Sequence, residues 1–239
     1  MSVTGIAAAM PAFRSRFLEG LAPRDLQIVL AAANEIHFRA NSVVVHQRDP
    51  ADHMFVLTNG RARHFYMTEQ GRKLLLFWLT PGEAFGGAAL VSRPSPYIVS
   101  TETVKDSCVL AWDRNTLRRL VTRYPVLIDN ALLIGYDHFD WYVATHKALS
   151  CHSARQRLGQ VLLSAAQMIG QKVPDGIEVD VTNEELASAA CVTPFTVSRA
   201  LNEWQRNQIV KKFRGKVLLR SPERLSAAWS DSDPVSEPD

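Results

Sequence analysis

The sequence predicts an α+β protein: an N-terminal antiparallel β-roll of jelly-roll type, one long helix, and a C-terminal winged helix-turn-helix. Three observations predict it. Short β-branched and aromatic runs separated by turn residues fill the first half of the chain. An unpunctuated stretch follows, with apolar residues spaced alternately by four and three. Near the C-terminus, two capped helical segments stand directly before a basic hairpin. The expected divisions are 13–121 for the β domain, 122–150 for the long helix, 151–221 for the winged domain and 222–239 for an acidic tail.

In chain order, Phe17 to Asn34 has helical apolar spacing at Leu26, Val29, Leu30 and Ala33. The runs SVVVHQ, HMFVLTNG, RARHFYMTEQG, KLLLFWL and CVLAW come next, punctuated by Asn59-Gly60, Gln70-Gly71 and Pro81-Gly82. Strands of that length and spacing build small antiparallel barrels or sandwiches. Asn115 to Arg123 reads as a short helix stopping before Pro125, because the residue before a proline disfavours helical geometry.

From there no glycine–proline punctuation interrupts the chain until Gly170. Ile128, Leu132, Gly135, Phe139, Tyr142, His146 and Leu149 form a narrow seam of the kind that pairs two helices. The seam either meets a second copy of the chain or lies against its own domain. Gly135 weakens the helix but permits close approach. The helix is expected to break near Ser150–Ser153. There Ser153-Ala-Arg-Gln156 fits a capping box, and the helix it starts runs to Gly170.

The most informative stretch is VTNEELASAACVTPFTVSRALNEWQRN. Thr182-Asn-Glu-Glu185 is a second capping box, opening a helix with Leu186, Ala187 and Ala190 on its apolar face. After Cys191-Val192, Thr193 is an N-cap and Pro194 falls at the first helical position, where its missing N–H costs nothing. Val197, Ala200, Leu201 and Trp204 should be buried. Thr193, Phe195, Thr196, Ser198, Arg199 and Asn202 then face outward, with side chains suited to base edges and phosphates in a major groove. Ile209 to Leu219 reads as two short strands around Arg214-Gly215. This wing carries Lys211, Lys212, Arg214 and Lys216 to the DNA backbone.

Charge distribution agrees. The chain as a whole carries only +3, but Leu201 to Arg220 holds six basic residues against Glu203 alone. Three single cysteines (Cys108, Cys151, Cys191) exclude a four-cysteine iron–sulfur cluster and give no basis for a disulfide framework or a structural zinc site. No metal or cofactor is expected. No apolar run approaches a membrane span. In the opening residues, MSVTGIAAAMPAFRSR, the arginines follow the apolar part, the reverse of a secretory signal, so a cytoplasmic protein is expected. A metal enzyme of cupin type would need clustered ligands such as H-x-H, and none occurs.

T-x-E-x-L-A, a turn, T-V-S-R and a wing resemble the DNA-binding domain of the CRP/FNR family of transcription regulators. Pro81 to Arg93 (PGEAFGGAALVSR) resembles the phosphate-binding cassette of that family's cyclic-nucleotide-binding β-roll, and the seam helix resembles its dimerisation helix. The resemblance covers about Phe17 to Leu225. It implies a sensory β-roll and a homodimer that binds a palindromic site in double-stranded DNA and contacts RNA polymerase. It places the effector pocket at Phe85, Gly86, Gly87, Ala88, Tyr97 and Ile98.

The departures are specific. Cyclic-AMP-binding members supply a glutamate for the ribose and an arginine for the phosphate. Here the glutamate position is Gly87, and the arginine and its hydroxyl neighbour fall at about Tyr97 and Ile98. A buried phosphate without a cation is costly, so no cyclic nucleotide is expected. The cysteine-rich N-terminus of the oxygen-sensing branch is absent. The seven histidines (His37, His46, His53, His64, His138, His146, His152) read as surface or packing residues, not haem ligands. In the second helix, Pro194 and Phe195 replace the arginine and glutamate that cyclic-AMP-responsive members carry. Phe195 either touches a thymine methyl or packs within the domain. Cys191 stands where glycine is usual, because the turn often needs positive φ. It is either a redox-sensitive thiol or a small buried residue filling the turn.

Overall fold

The computed structural model describes residues 13–230, which fall into two compact units divided between Tyr142 and Val143. Residues 1–12 of the opening stretch that reads as lacking a secretory signal, and the last nine residues of the acidic tail, lie outside the described residues.

In the first unit, a 3-10 turn at Arg16–Leu18 precedes α1 (Pro23–Ala31). The helix is shorter than the apolar spacing implies. Gly20 takes φ +77°, Ala22 is extended, and Pro23 sits in the first turn, so helical geometry cannot begin earlier. At the far end Asn34 already belongs to β1.

Two four-stranded antiparallel sheets make the roll. One holds β1 (Asn34–Phe38), β8 (Ser107–Asp113), β3 (His53–Asn59) and β6 (Ala84–Phe85), in that order. The other holds β2 (Val43–Val45), β7 (Ser100–Thr103), β4 (Ala62–Met67) and β5 (Lys73–Leu79). The unbroken apolar runs of β3 and β8 have a physical cause. Phe55, Leu57, Val109 and Ala111 point into the roll, while Met54, Val56, Leu110 and Trp112 meet a second core beneath α1 and α2. Strands buried on both faces lose the apolar–polar alternation of a half-solvated sheet.

β7 (Ser-Thr-Glu-Thr) gave no apolar signal, yet all four residues are buried. Hydrogen bonds satisfy them: Glu102 accepts from Arg63 and Lys73 (2.6 Å each), and the Thr101 hydroxyl meets Nδ1 of His64 at 2.8 Å.

α2 (Arg114–Arg123) is capped by Asp113, whose carboxylate accepts from the backbone N–H of Asn115 and Thr116 at 3.0 Å each. α3 (Val126–Cys151) begins against the roll, where Asn130 donates to the carbonyls of Phe17 (3.1 Å) and Glu19 (2.8 Å).

The second unit contains α4 (Ala154–Ile169), β9 (Gln171–Val173), β10 (Gly176–Val179), α5 (Asn183–Ala189), α6 (Pro194–Arg206), β11 (Val210–Phe213), β12 (Lys216–Leu219) and α7 (Pro222–Ser230). Both expected capping boxes, Ser153 with Gln156 and Thr182 with Glu185, are formed. Gly170 ends α4 for a reason other than a left-handed cap. Its φ is −73°, and a Cβ there would lie 2.2 Å from the Ala166 carbonyl oxygen and 2.4 Å from Cγ2 of Ile177. The expected two-strand wing is part of a four-stranded sheet, ordered β11-β12-β10-β9. Residues 222–230 of the expected tail form a helix that buries Leu225 completely, and α7 contacts α4.

Candidate nucleic-acid interface and ligand pocket

α5, the turn and α6 form a helix-turn-helix. Thr193 caps α6 by accepting from the Thr196 N–H at 3.1 Å, and Pro194 occupies the first helical turn. Val197, Leu201 and Trp204 are fully buried and Ala187 and Ala200 nearly so. The opposite side of α6 presents Phe195, Arg199 and Asn202 fully, with Thr193 beside them and Thr196 and Ser198 half-exposed. Phe195 is 76% exposed, so it does not pack within the domain. Arg199 makes no hydrogen bond or ion pair among the described residues.

Cys191 takes φ +52°, so the turn does require left-handed backbone. The side chain is exposed, which removes the reading that it fills a buried gap. Two arginines that sequence reasoning missed hold the motif in place. Arg157 of α4 donates to the carbonyls of Ala190 (3.0 Å), Cys191 (3.4 Å) and His152 (2.8 Å). Arg155 grips Glu203 of α6 in a two-pronged ion pair at 2.9 and 2.7 Å. Neither is visible to a local reading, since each reaches the helix-turn-helix across at least 33 residues.

The wing's cations differ in their engagement. Lys216 is held by Glu178 (2.7 Å) and Asp180 (3.5 Å), which raises its pKa. Lys211 lies over the Phe213 ring at 5.1 Å, and Lys212 donates to Asn202 of α6. Arg214, at the hairpin tip beside Gly215 (φ +73°), has no partner among the described residues.

In the first unit a cavity of about 410 Å³ lies between the roll and α3. Every expected pocket residue lines it: Phe85, Gly86, Gly87, Ala88, Tyr97 and Ile98. Among the described residues, none that lines it is Arg, Lys, Asp or Glu. Gly86 adopts φ +80°, and a Cβ there would approach the His53 carbonyl oxygen to 2.7 Å. Tyr97 is buried and its hydroxyl is consumed, donating to the His53 carbonyl at 2.8 Å and accepting from the His53 N–H at 3.1 Å. Two lining histidines were not singled out for this pocket by sequence. Burial, and then His138, push the His64 pKa down to about 3; burial also lowers that of His138. Both are therefore neutral imidazoles at pH 7.

Comparison with known proteins matches both units. Residues 35–124 fit the cyclic nucleotide-binding domain model, and residues 156–228 fit the Crp-like helix-turn-helix domain model. The chain belongs to the CRP/FNR family. It is 22% identical over 215 residues to a CRP-like cAMP-activated global transcriptional regulator of Mycobacterium tuberculosis, covering 89% of this chain and 96% of that protein. It is 25% identical over 206 residues to the cyclic AMP receptor protein of Thermus thermophilus (86% and 93% covered). Among solved structures, FixK2 from Bradyrhizobium japonicum superposes with a TM-score of 0.71 at 20% identity, covering 82% and 96%. As a CRP/FNR member the chain is a DNA-binding transcription regulator and not an enzyme.

α3 of this CRP/FNR chain has two faces. Leu127, Asn130, Ala131, Ile134 and His138 turn toward the roll. The expected seam is the other face: Ile128 (37% exposed), Leu132 (67%), Phe139 (66%), Tyr142 (41%) and Leu149 (44%) are open, as are Gly135 and His146. Most of the seam's surface is therefore open in the single chain, and Leu133, Tyr136 and Val143 widen it. Gly135, Phe139 and Tyr142 also line the cavity, a double role that spacing alone did not reveal. No helix among the described residues is long and apolar enough to cross a membrane.

Proposed function

We propose that this CRP/FNR regulator works in the cytoplasm as a homodimer paired through the exposed seam of α3. It reads a palindromic operator with α6 and contacts RNA polymerase from the bound state. Arg199 is the reading residue: an unpaired guanidinium on the outer face of a capped, buried-anchored helix can bond a guanine bidentately. That single observation carries the reading. Phe195 offers a thymine methyl an apolar contact, and the wing supplies phosphate contacts. Selection of bound genomic fragments, followed by footprinting, should recover a two-fold-symmetric site. A site without symmetry, or no sequence preference, would refute the proposal.

The effector is an uncharged, largely apolar molecule in place of a cyclic nucleotide. A cyclic phosphate buried in this cavity would meet no cation among the described residues that line it, and Tyr97 fills the arginine position with its hydroxyl already used. Neutral His64 and His138 can each offer one donor or one acceptor to such a ligand. Because Gly135, Phe139 and Tyr142 border both cavity and seam, occupancy would bias how two copies pair. Calorimetry with cyclic AMP and cyclic GMP should show no binding heat at millimolar ligand. Micromolar affinity for either would overturn the effector assignment.

A further inference from the structure

We infer that the outer face of the roll carries a transition-metal site, built from Glu35, His37 and Cys108 and suited to Zn²⁺ with one open coordination position. The three residues come from adjacent strands. β1 and β8 run antiparallel with His37 directly opposite Cys108, and Glu35, two residues before His37, shares its face. Directly opposed residues bring their Cβ atoms to about 5 Å, a span that one ion can bridge. Nε2 of His37 lies 3.0 Å from a Glu35 carboxylate oxygen, and the three ligand atoms all fall within 4.8 Å of one another.

A tetrahedral zinc ion takes sulfur at about 2.3 Å and imidazole nitrogen or carboxylate oxygen at about 2.0–2.2 Å, so its ligand atoms stand roughly 3.3–3.6 Å apart. Closing the trio around an ion needs movements of about an ångström. His37 and Glu35 can supply them by side-chain rotation, being 75% and 38% exposed. An exposed histidine–carboxylate pair by itself is worth little; the half-buried Cys108 thiol beside it, within hydrogen-bond reach of Glu35, adds the soft donor that such an ion takes. Thiolate plus imidazole selects zinc-like ions over Mg²⁺ or Ca²⁺, which prefer all-oxygen shells. The fourth position faces solvent and would hold water.

The consequence for the fold follows from topology. β1 is the edge strand of its sheet, with β8 as its neighbour. An ion shared by the two would clamp that edge, closing the loop of chain between Glu35 and Cys108 and stabilising the roll in proportion to its occupancy.

Cobalt(II) is the probe. Titrated into reduced, metal-free full-length protein, it should saturate at one equivalent per chain with a thiolate-to-cobalt charge-transfer absorption, and Zn²⁺ should displace it. C108S should abolish the absorption. H37A, at a largely exposed side chain that folding does not need, should weaken cobalt binding by about 10–100-fold or more. A C151S/C191S protein should bind as the wild type does. The inference is overturned by the lack of a saturable absorption, by wild-type affinity in H37A, or by a signal that follows Cys151 or Cys191.

Discussion

Arg199 and the wing cations should leave different marks on DNA binding, and the structure says how different. A bidentate arginine–guanine contact is worth about 1–3 kcal/mol. A dimer makes it twice, so Arg199→Ala should cost about 2–6 kcal/mol on the operator, or roughly 30-fold to 10⁴-fold in affinity. Random duplex should lose far less, because there Arg199 has no particular base to read. Arg214 sits at the hairpin tip with no partner among the described residues and should meet phosphate. Its removal should weaken both duplexes alike and flatten the salt dependence by about 0.9 per contact, near 1.8 for a dimer. Lys216 is already matched by Glu178 at 2.7 Å and Asp180 at 3.5 Å, so Lys216→Ala should flatten it by less than half as much. Fluorescence-anisotropy titrations on operator and random duplex across a salt series measure all three. An unchanged specificity ratio in Arg199→Ala would remove α6 as the reading head. A Lys216→Ala slope equal to that of Arg214→Ala would show that the carboxylates release the lysine on DNA.

Leu132→Asp changes a residue that is 67% exposed in the single chain and lies outside the cavity, so the fold should survive. In a paired seam it buries an unmatched charge at about 3–5 kcal/mol, and sedimentation should show monomer; a dimer of unchanged strength would misplace the interface. Gly170→Ala should destabilise the second unit by about 1–3 kcal/mol, since its Cβ meets the Ala166 carbonyl oxygen at 2.2 Å. An unaltered urea midpoint would contradict that contact. His64 is neutral when folded down to about pH 3, whereas the unfolded chain takes up its proton near 6.5. Its contribution is complete above pH 6.5 and is lost as pH falls toward 3, by about 2 kcal/mol between pH 6.5 and 5. His64→Gln should flatten that slope in pH-dependent denaturation, and equal slopes would refute the burial argument.

The DNA-reading half was legible in the sequence because its determinants are local. Ser153 with Gln156, Thr182 with Glu185, and Thr193 with Pro194 each settle a helix start within four residues. The buried stripe at Val197, Leu201 and Trp204 follows from helical period alone. Turn dipeptides and apolar runs likewise announced five strands of the roll. What stayed hidden depends on residues far apart in the chain. β7 is polar throughout, and only its cross-strand partners make its burial tolerable. The grips of Arg155 and Arg157, the meeting of His64 with His138 in the cavity, and the choice of which α3 face stays open all required the packed chain. So did the approach of Cys108 to Glu35 and His37, more than seventy residues away, because antiparallel register and not sequence spacing decides which side chains share a face.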